Sequence, residues 1–388
     1  MRTLFILLLT CGLCFSTALA DLDSSINSIL AVGAEGEGNS EAAAAWQDLS
    51  QGSLEDTLAI LAKMEGANPL AANYLRSAVE AIVARETSSG QQLPMAQLGG
   101  LLLDTRQDPK AREFVFDLIE NSAPETAAKL VPGLLNDPSN ALRRRAVAKL
   151  IDEGKSLADG ENSDASILIY RQALGAARDV DQVDTITKAL REMEQEVDLP
   201  RHFGFLMHWH VAAPFDNTDR EGFDRVYEPE TSVNLNATYK GKDDAEVKWQ
   251  PLVTSDEYGK VDFNKPYTML KGVAGYAYTE FNSAADMPTE LRLGCKNGWK
   301  IWVNGEFVFG RDEYHRGQRI DQYILPVQLK KGANTILVKC CQDEQEQDWT
   351  VQWEFQLRVC DPTGTAILAV DRPPTPKPEA ASRRPKQS

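Results

Sequence analysis

Apolar positions between residues 21 and 198 recur at helical spacing. Leu54, Leu58 and Leu61 fall on one side of a helix that Ser53 opens. Asn68-Pro69 sets a capping side chain before a proline whose missing N–H is harmless at the first helical position. Leu75, Val79, Ile82 and Val83 then share one side of the segment that follows. Asp108-Pro109 repeats the device ahead of Phe114, Leu118 and Ile119. A last helical pair is expected from Ala165 to Glu194. Such hairpins bury their apolar faces only by stacking on neighbours, so the pattern predicts an α-helical domain over 21–198.

At Pro200 the period changes from 3.6 to 2. In "WTVQWEFQLRV" Trp349, Val351, Trp353, Phe355, Leu357 and Val359 alternate with Thr350, Gln352, Glu354, Gln356 and Arg358. That alternation predicts a strand with one face in a core and one in water. Further strands are expected at 202–211, 232–239, 245–253, 275–281, 290–295, 299–303, 306–309, 323–329 and 334–341. Many short strands with turn signals between them predict an antiparallel β-sandwich or jelly roll over 201–370. The segment 371–388, "DRPPTPKPEAASRRPKQS", is Pro-rich and basic and is expected to be a disordered tail. The fold class is thus multidomain, α then β.

Two resemblances attach to particular residues. In Glu125–Gly154 two helical stretches flank "DPS", and Asp137, Leu142, Arg143, Ala146 and Leu150 follow in order. This unit resembles a HEAT repeat, which implies that an aspartate caps the second helix and an arginine braces neighbouring turns. In the β region, "VAAPFDNTDREGFDRVYEPE", "GKDDAEVKWQ", "LRLGCKNGWKIWVNGEFVF" and "VQLKKGANTILVKC" together resemble the galactose-binding-like jelly-roll domain of large secreted bacterial proteins. Trp302, Asn304 and Gly305 match its W-x-N-G phrase. Leu329, Gly332, Asn334, Ile336, Leu337, Val338 and Lys339 match the strand that follows, with Ile336 in place of leucine. The whole chain looks like a family of uncharacterised exported bacterial proteins. That resemblance implies a fold that binds sugars in some members and serves as a spacer in others.

The first twenty residues change the expected location. A short basic start, an apolar run from Leu4 to Phe15 and Ala18-Leu19-Ala20 read as a secretory signal peptide, residues 1–20. The run is too short to span a bilayer. The mature protein is therefore expected to be exported, as a periplasmic, cell-envelope or extracellular protein. The net charge is −16: residues 21–200 hold 30 acidic and 16 basic side chains, and residues 201–388 hold 27 and 24. Such a chain repels nucleic acid and anionic lipid, which excludes them as expected partners. Four cysteines remain after the leader: Cys295, Cys340, Cys341 and Cys360. Export permits disulfides. Since Cys340 and Cys341 are adjacent, full pairing joins Cys295 to one of them and Cys360 to the other; free thiols are the alternative. A zinc site has no C-x2-C spacing to support it.

Candidate chemistry is sparse. His208 and His210 share a strand face around Trp209, as a metal pair or as two exposed histidines. Asp216–Asp224, "DNTDREGFD", is rich in carboxylates without the order of an EF-hand, so a structural calcium is an open alternative to no cofactor at all. The motifs G-x-S-x-G, H-E-x-x-H and the Walker loop are missing, and no catalytic residue is expected. The loop "GRDEYHRGQRIDQ", 310–322, offers Arg311, Asp312, Tyr314, His315 and Arg319 as ligand contacts, because sugar recognition wants polar groups beside a flat aromatic face. Asn304-Gly305 is expected to turn a type I′ hairpin. Period 2 sets Trp299 and Trp302 on opposite faces, Trp302 in the core and Trp299 free to meet a ligand. The expectation is a non-enzymatic, exported binding protein for carbohydrate or an envelope protein. The alternatives are a helical scaffold with the sandwich as spacer, and a polysaccharide hydrolase.

Overall fold

A computed structural model of the chain describes residues 22–377. The expected signal peptide lies outside the described residues. The chain forms two compact units that divide between Ile186 and Thr187. The first is helical and the second carries antiparallel sheets.

In the helical unit, α1 covers 22–30. It is followed by α2 (Asn39–Leu49), α3 (Asp56–Ala62), α4 (Pro69–Ser88), α5 (Met95–Leu103), α6 (Pro109–Ser122), α7 (Pro124–Leu130), α8 (Asn140–Asp159) and α9 (Ser163–Ala176), and α10 (Val180–Glu192) runs across the division between the units. The Asn68 side chain accepts from the N–H groups of Leu70 and Ala71, and Asp108 accepts from Ala111. Both caps stand before the prolines that open their helices. One face of each of α1 to α8 feeds a continuous core in which Ile60, Leu75, Val79, Ile82, Phe114, Ile119, Leu134 and Leu142 are buried. The Asp137–Arg143 order is used structurally. Ser139 caps α8, and Arg143 Nη1 donates to the Asp137 carbonyl at 2.8 Å. The Asp137 carboxylate pairs instead with Arg112 of α6, whose side chain is fully buried. A buried charge pair of this kind is costly to break from one side.

In the second unit, α11 (Leu199–Phe203) occupies part of the segment expected as the first strand. Its C-terminal Gly204 at φ 80° turns the chain into β1 (His208–Asp216). The later strands are β2 (Thr238–Lys240), β3 (Glu246–Lys248), β4 (Gln250–Val253), β5 (Lys260–Asp262), β6 (Val273–Ser283), β7 (Met287–Cys295), β8 (Gly298–Val303), β9 (Glu306–Arg311), β10 (Tyr323–Leu329), β11 (Gly332–Gln342) and β12 (Glu354–Cys360). They form a six-stranded sheet, β4-β1-β6-β11-β8-β9, a four-stranded sheet, β10-β7-β12-β5, and the ribbon β2-β3. Trp209, Phe281, Trp299, Ile301 and Val338 of the larger sheet pack against Leu291, Leu293, Phe355 and Leu357 of the smaller one, which makes the sandwich core.

The larger sheet is covered on its outer face as well. Phe215, Phe223, Tyr239, Trp249, Tyr276, Tyr278, Trp302 and Tyr314 form a second, aromatic core there, to which the excursion from Asn217 to Trp249 supplies Phe223, Tyr239 and Trp249. Lys339 reaches into this layer with no exposed side chain. It donates to the carbonyls of Phe223 and Arg225 and to Glu230. Tyr276 donates to the same carboxylate.

Three expectations change here. Trp299 and Trp302 do lie on opposite faces, but both are buried, at 0% and 7% exposure. A one-sided sheet would have left one free; this sheet has a core on each side. The second change concerns "WTVQWEFQLRV", whose first half is not strand. Asp348–Thr350 is a 3₁₀ turn, β12 starts at Glu354, and Trp349 stands 58% exposed. The face expected in water is instead covered: Gln356 and Arg358 are buried, and Arg358 donates to Phe203 O, Gly364 O and Asp321. The third concerns the tail. Residues 378–388 lie outside the described residues, but Arg372 donates to the carbonyls of Phe205 and Pro200, and Thr375 donates to Asp198. Backbone carbonyls at the turn out of α11 capture the start of the tail.

The four cysteines among the described residues are free thiols. Neither complete pairing is formed. Cys341 sits in the outer aromatic core, and Cys360 donates to Glu290 O at 3.8 Å. Cys295 faces Cys340 across the sandwich core, with the sulfurs 3.8 Å apart.

Candidate functional site

Strand register gathers five connections at one end of the sandwich. Asp216 and Gln342 both pair with Val273, Cys341 pairs with Gly298, Trp299 with Arg311, and Leu293 with Tyr323. The segments 217–225, 268–272, 296–297, 312–322 and 343–353 therefore emerge together. The expected contact loop, 310–322, is one of them.

Buried polar side chains tie these loops to one another. Asn217 is fully buried and donates to Tyr314 Oη at 3.3 Å and to Gln342 O at 3.0 Å. Asn297 donates to Gln342 Oε1 at 3.1 Å, and Gln342 Nε2 donates to Thr350 O at 2.9 Å. Gly298 is required next to this cluster, since a Cβ there would stand 2.9 Å from Tyr314 Oη. His315 takes a left-handed backbone, φ 58°, so that its N–H donates to Lys296 O. Its Nε2 lies 2.9 Å from Asp343 Oδ1, and Asp343 also receives Arg220 at 2.8 Å. Burial pushes the Asp343 carboxyl up, but the hydrogen bond and charge of His315, with Arg220, outweigh it and hold the group below the usual carboxylate range. Arg220 also lies over the Tyr314 ring, 4.6 Å from its centroid.

Trp349 stands on this frame. Its ring meets His315 edge to face at 5.2 Å, and Lys296 Nζ donates to its carbonyl at 3.1 Å and to Gln352. The anchors hold the backbone and one edge of the indole while more than half of the residue stays in solvent. Singly exposed apolar side chains are ordinary on a folded surface; Trp349 is set apart by the buried polar cluster beside it. Sequence reasoning missed Trp349 because alternation alone placed it in the core. The sequence holds only a partial signal: the polar run after Gln342, residues 343–348, marks a loop before Trp349 and not where that loop ends.

The expected contact residues divide into two groups. Tyr314 is buried with its hydroxyl taken by Asn217, burial pushes that hydroxyl's pKa up, and His315 is held by Asp343; both build the frame. Arg311, paired with Glu313 at 3.1 Å, Asp312 and Arg319 are exposed on the loop surface. Asp312 is raised, first by burial of its carboxyl and then by the neighbouring Asp224 charge. Trp299 lies inside the sandwich against Phe309 and Tyr323 and reaches no ligand.

The metal alternatives find no constellation. Among the described residues no group of three or more histidine, cysteine or acidic side chains gathers to hold an ion. In Asp216–Asp224, Asp216 receives Thr218 and Arg225, and Asp224 pairs with Lys300. His210 is exposed and His208 is half-buried on β1. No helix among the described residues is long and apolar enough to cross a membrane.

No protein-family model matches the chain, and no curated protein matches it. Among solved structures, the chain is similar to a β-glucosidase from Kluyveromyces marxianus in complex with glucose, at 13% identity and a TM-score of 0.25. That match covers 39% of this chain and 16% of the β-glucosidase, so the chain spans only a small part of that protein. A family 35 carbohydrate binding module from Clostridium thermocellum is similar over 23% of this chain and 71% of its own, at 15% identity and a TM-score of 0.16. A β-glucuronidase from Ruminococcus gnavus in complex with D-glucaro 1,5-lactone is similar over 40% and 28%, at 11% identity and a TM-score of 0.22. Overlaps this partial carry no argument about function.

Proposed function

We propose that the protein binds carbohydrate at the loop end of its β-sandwich, as an exported, non-catalytic component of the cell envelope. Trp349 carries the reading: an indole 58% exposed, met edge to face by His315, with its backbone carbonyl held by Lys296. A sugar ring presents an apolar C–H face and a rim of hydroxyls. An open aromatic plane takes the first, and fixed donors and acceptors around it take the second. Arg311, Asp312 and Arg319 on the neighbouring loop supply polar groups that are exposed rather than spent on the frame.

Catalysis is not part of the proposal. A glycosidase needs two carboxyls facing one bond, one kept protonated and one charged, in a site that excludes water. At this end Asp343 is committed to His315 and Arg220. Asp312 and Asp224 are exposed.

The test is a glycan-array screen with the full chain, followed by titration of the best ligand. Trp349→Ala is expected to weaken binding at least about tenfold, and Trp349→Phe to recover part of the loss, since a ring–sugar contact contributes on the order of 1–2 kcal/mol. Absence of any glycan ligand, or equal affinity in Trp349→Ala, would sink the proposal.

A further inference from the structure

Cys295 and Cys340 stand in the sandwich core with 3.8 Å between their sulfurs, one at the end of β7 and the other on β11. They belong to different sheets. Buried thiols can simply pack as small apolar groups; of the chemical uses open to such a pair, two fail here. A metal needs more ligands, and no third histidine, cysteine or acid joins them among the described residues. A reactive thiolate needs exposure and a lowered pKa. Cys295 is 1% exposed and Cys340 is 0% exposed, and burial pushes the Cys340 thiol well up. Pairing is the use that remains.

We propose that Cys295 and Cys340 form a disulfide that ties the two sheets together when the chain folds under oxidising conditions, and that Cys341 and Cys360 stay reduced. Direction along β11 separates the two adjacent cysteines. Cys340 faces the sandwich core and Cys341 the outer aromatic core beside Tyr276 and Trp302. Cys360 is on β12, its thiol pointing to Glu290 O. The sequence leaves either neighbour as the partner of Cys295; the side chains leave one.

The chemistry balances with a small disulfide oxidant such as oxidised glutathione. One thiolate attacks the oxidant and releases a glutathione thiol; the second thiolate displaces the other. The new S–S bond forms, both protons leave, and the two electrons end on two glutathione molecules. Because both sulfurs are buried, exchange takes place while the sheets are still open. The bond closes residues 296–339 into a loop. That loop contains the hairpin β8–β9, the connection 310–322 and β10, so the link fixes the base of the end that carries His315.

The test refolds residues 21–388, which hold four of the six cysteines, from denaturant, once in a mixture of reduced and oxidised glutathione and once with excess reductant. Remaining thiols are then alkylated in denaturant and mapped by peptide mass. The oxidised sample is expected to show alkylated Cys341 and Cys360, one linked peptide joining Cys295 to Cys340, and a melting temperature about 5–10 °C above the reduced sample. In Cys295→Ala or Cys340→Ala the two refolding conditions are expected to give the same melting temperature. If either variant fails to fold, the wild-type map decides alone. Four alkylated cysteines in the soluble oxidised chain, or a linked peptide containing Cys341 or Cys360, would overturn the proposal.

Discussion

The two ends of the β-sandwich use polar side chains for opposite purposes. At one end Asn304 and Gly305 turn β8 into β9, both with positive φ, 53° and 80°. Asn304 donates to Asn334 at 3.0 Å and accepts from Thr335 N–H at 3.0 Å. Asn334, fully buried, also accepts from Lys330 N–H and donates to the carbonyls of Lys330 and Gly332. The two phrases that carry the sequence resemblance meet there and satisfy each other. At the far end the network of Asn217, Asn297, Gln342, His315 and Asp343 ties loops together but leaves Asn217 Oδ1, Asn297 Oδ1 and His315 Nδ1 without a partner among the described residues, and it holds an aromatic open above it. Closed polar networks rigidify. Whether such a network marks a site depends on what it leaves exposed.

The sharpest way to break this comparison is to remove one tryptophan from each class. Trp299→Ala empties a fully buried position between the sheets and is expected to cost about 3–5 kcal/mol. Trp349→Ala removes a side chain that is mostly in solvent and is expected to stay within about 0.5 kcal/mol of the parent. Urea denaturation of both variants, followed by fluorescence, checks the pair. A large loss in Trp349→Ala would make that residue part of the core.

The same comparison explains what the sequence revealed. Strand positions 323–329 agree residue for residue with β10, and β6, β7, β8 and β11 agree within a few residues, because alternation and turn residues are local signals. The type I′ turn was legible because Asn-Gly is nearly obligatory where two successive φ values are positive. Arg358 and Trp349 were not legible. Period 2 says which residues share a face and leaves open whether that face is covered. Arg358 is covered by α11, which is distant in sequence, and by the turn at Gly364 that follows its own strand. Trp349 is uncovered because its strand starts five residues later. The candidate loop 310–322 was found by its composition, yet two of its residues serve the frame, since partners such as Asn217 and Asp343 come from other segments.

Asn334→Ala tests the closed end directly. Removing the amide strands the N–H of Lys330 and two carbonyls in a buried turn, with an expected loss of about 1–3 kcal/mol by urea denaturation. Glycan affinity is expected to be unchanged, because the turn lies at the opposite end from Trp349. A fall in both together would mean that the two ends are coupled.

Asp343→Asn tests the open end, with an expected cost of about 1.5 kcal/mol at neutral pH from the weakened bonds to His315 and Arg220. The acid limb carries the sign. Asp343 is held below its ordinary value in the folded chain, so its contribution is fully present above the unfolded carboxyl pKa, about 4. Below that the unfolded chain takes up the proton first, and the contribution is lost as pH falls through the folded value. Asp321 behaves alike: burial raises it, and Arg358 and Arg292 together lower it further. Stability of the parent is therefore expected to fall with acid below about pH 4, and less steeply in Asp343→Asn, measured as melting temperature against pH. Parallel acid limbs would remove the carboxylate from the account.

The smallest contrast lies in two glycines. Gly305 has φ 80° and Gly317 has φ 82°, and a Cβ on either would meet nothing within 4 Å. Contact is thus removed as a variable, and alanine at either place reports only the cost of a left-handed backbone, about 1 kcal/mol where the backbone cannot relax. Gly305 cannot relax, because Asn304 on one side is bound to both Asn334 and Thr335. Gly317 is exposed, and its carbonyl is held only by Gln322 at 3.2 Å. Gly305→Ala is therefore expected to show the full cost and Gly317→Ala about half of it, with the loop rearranging to escape the strain. That rearrangement shifts Arg311 to Arg319, so Gly317→Ala is expected to change glycan affinity while Gly305→Ala does not. Equal stability losses with no change in affinity would mean that the 310–322 loop is as rigid as the hairpin, and that its exposed arginines take no part in binding.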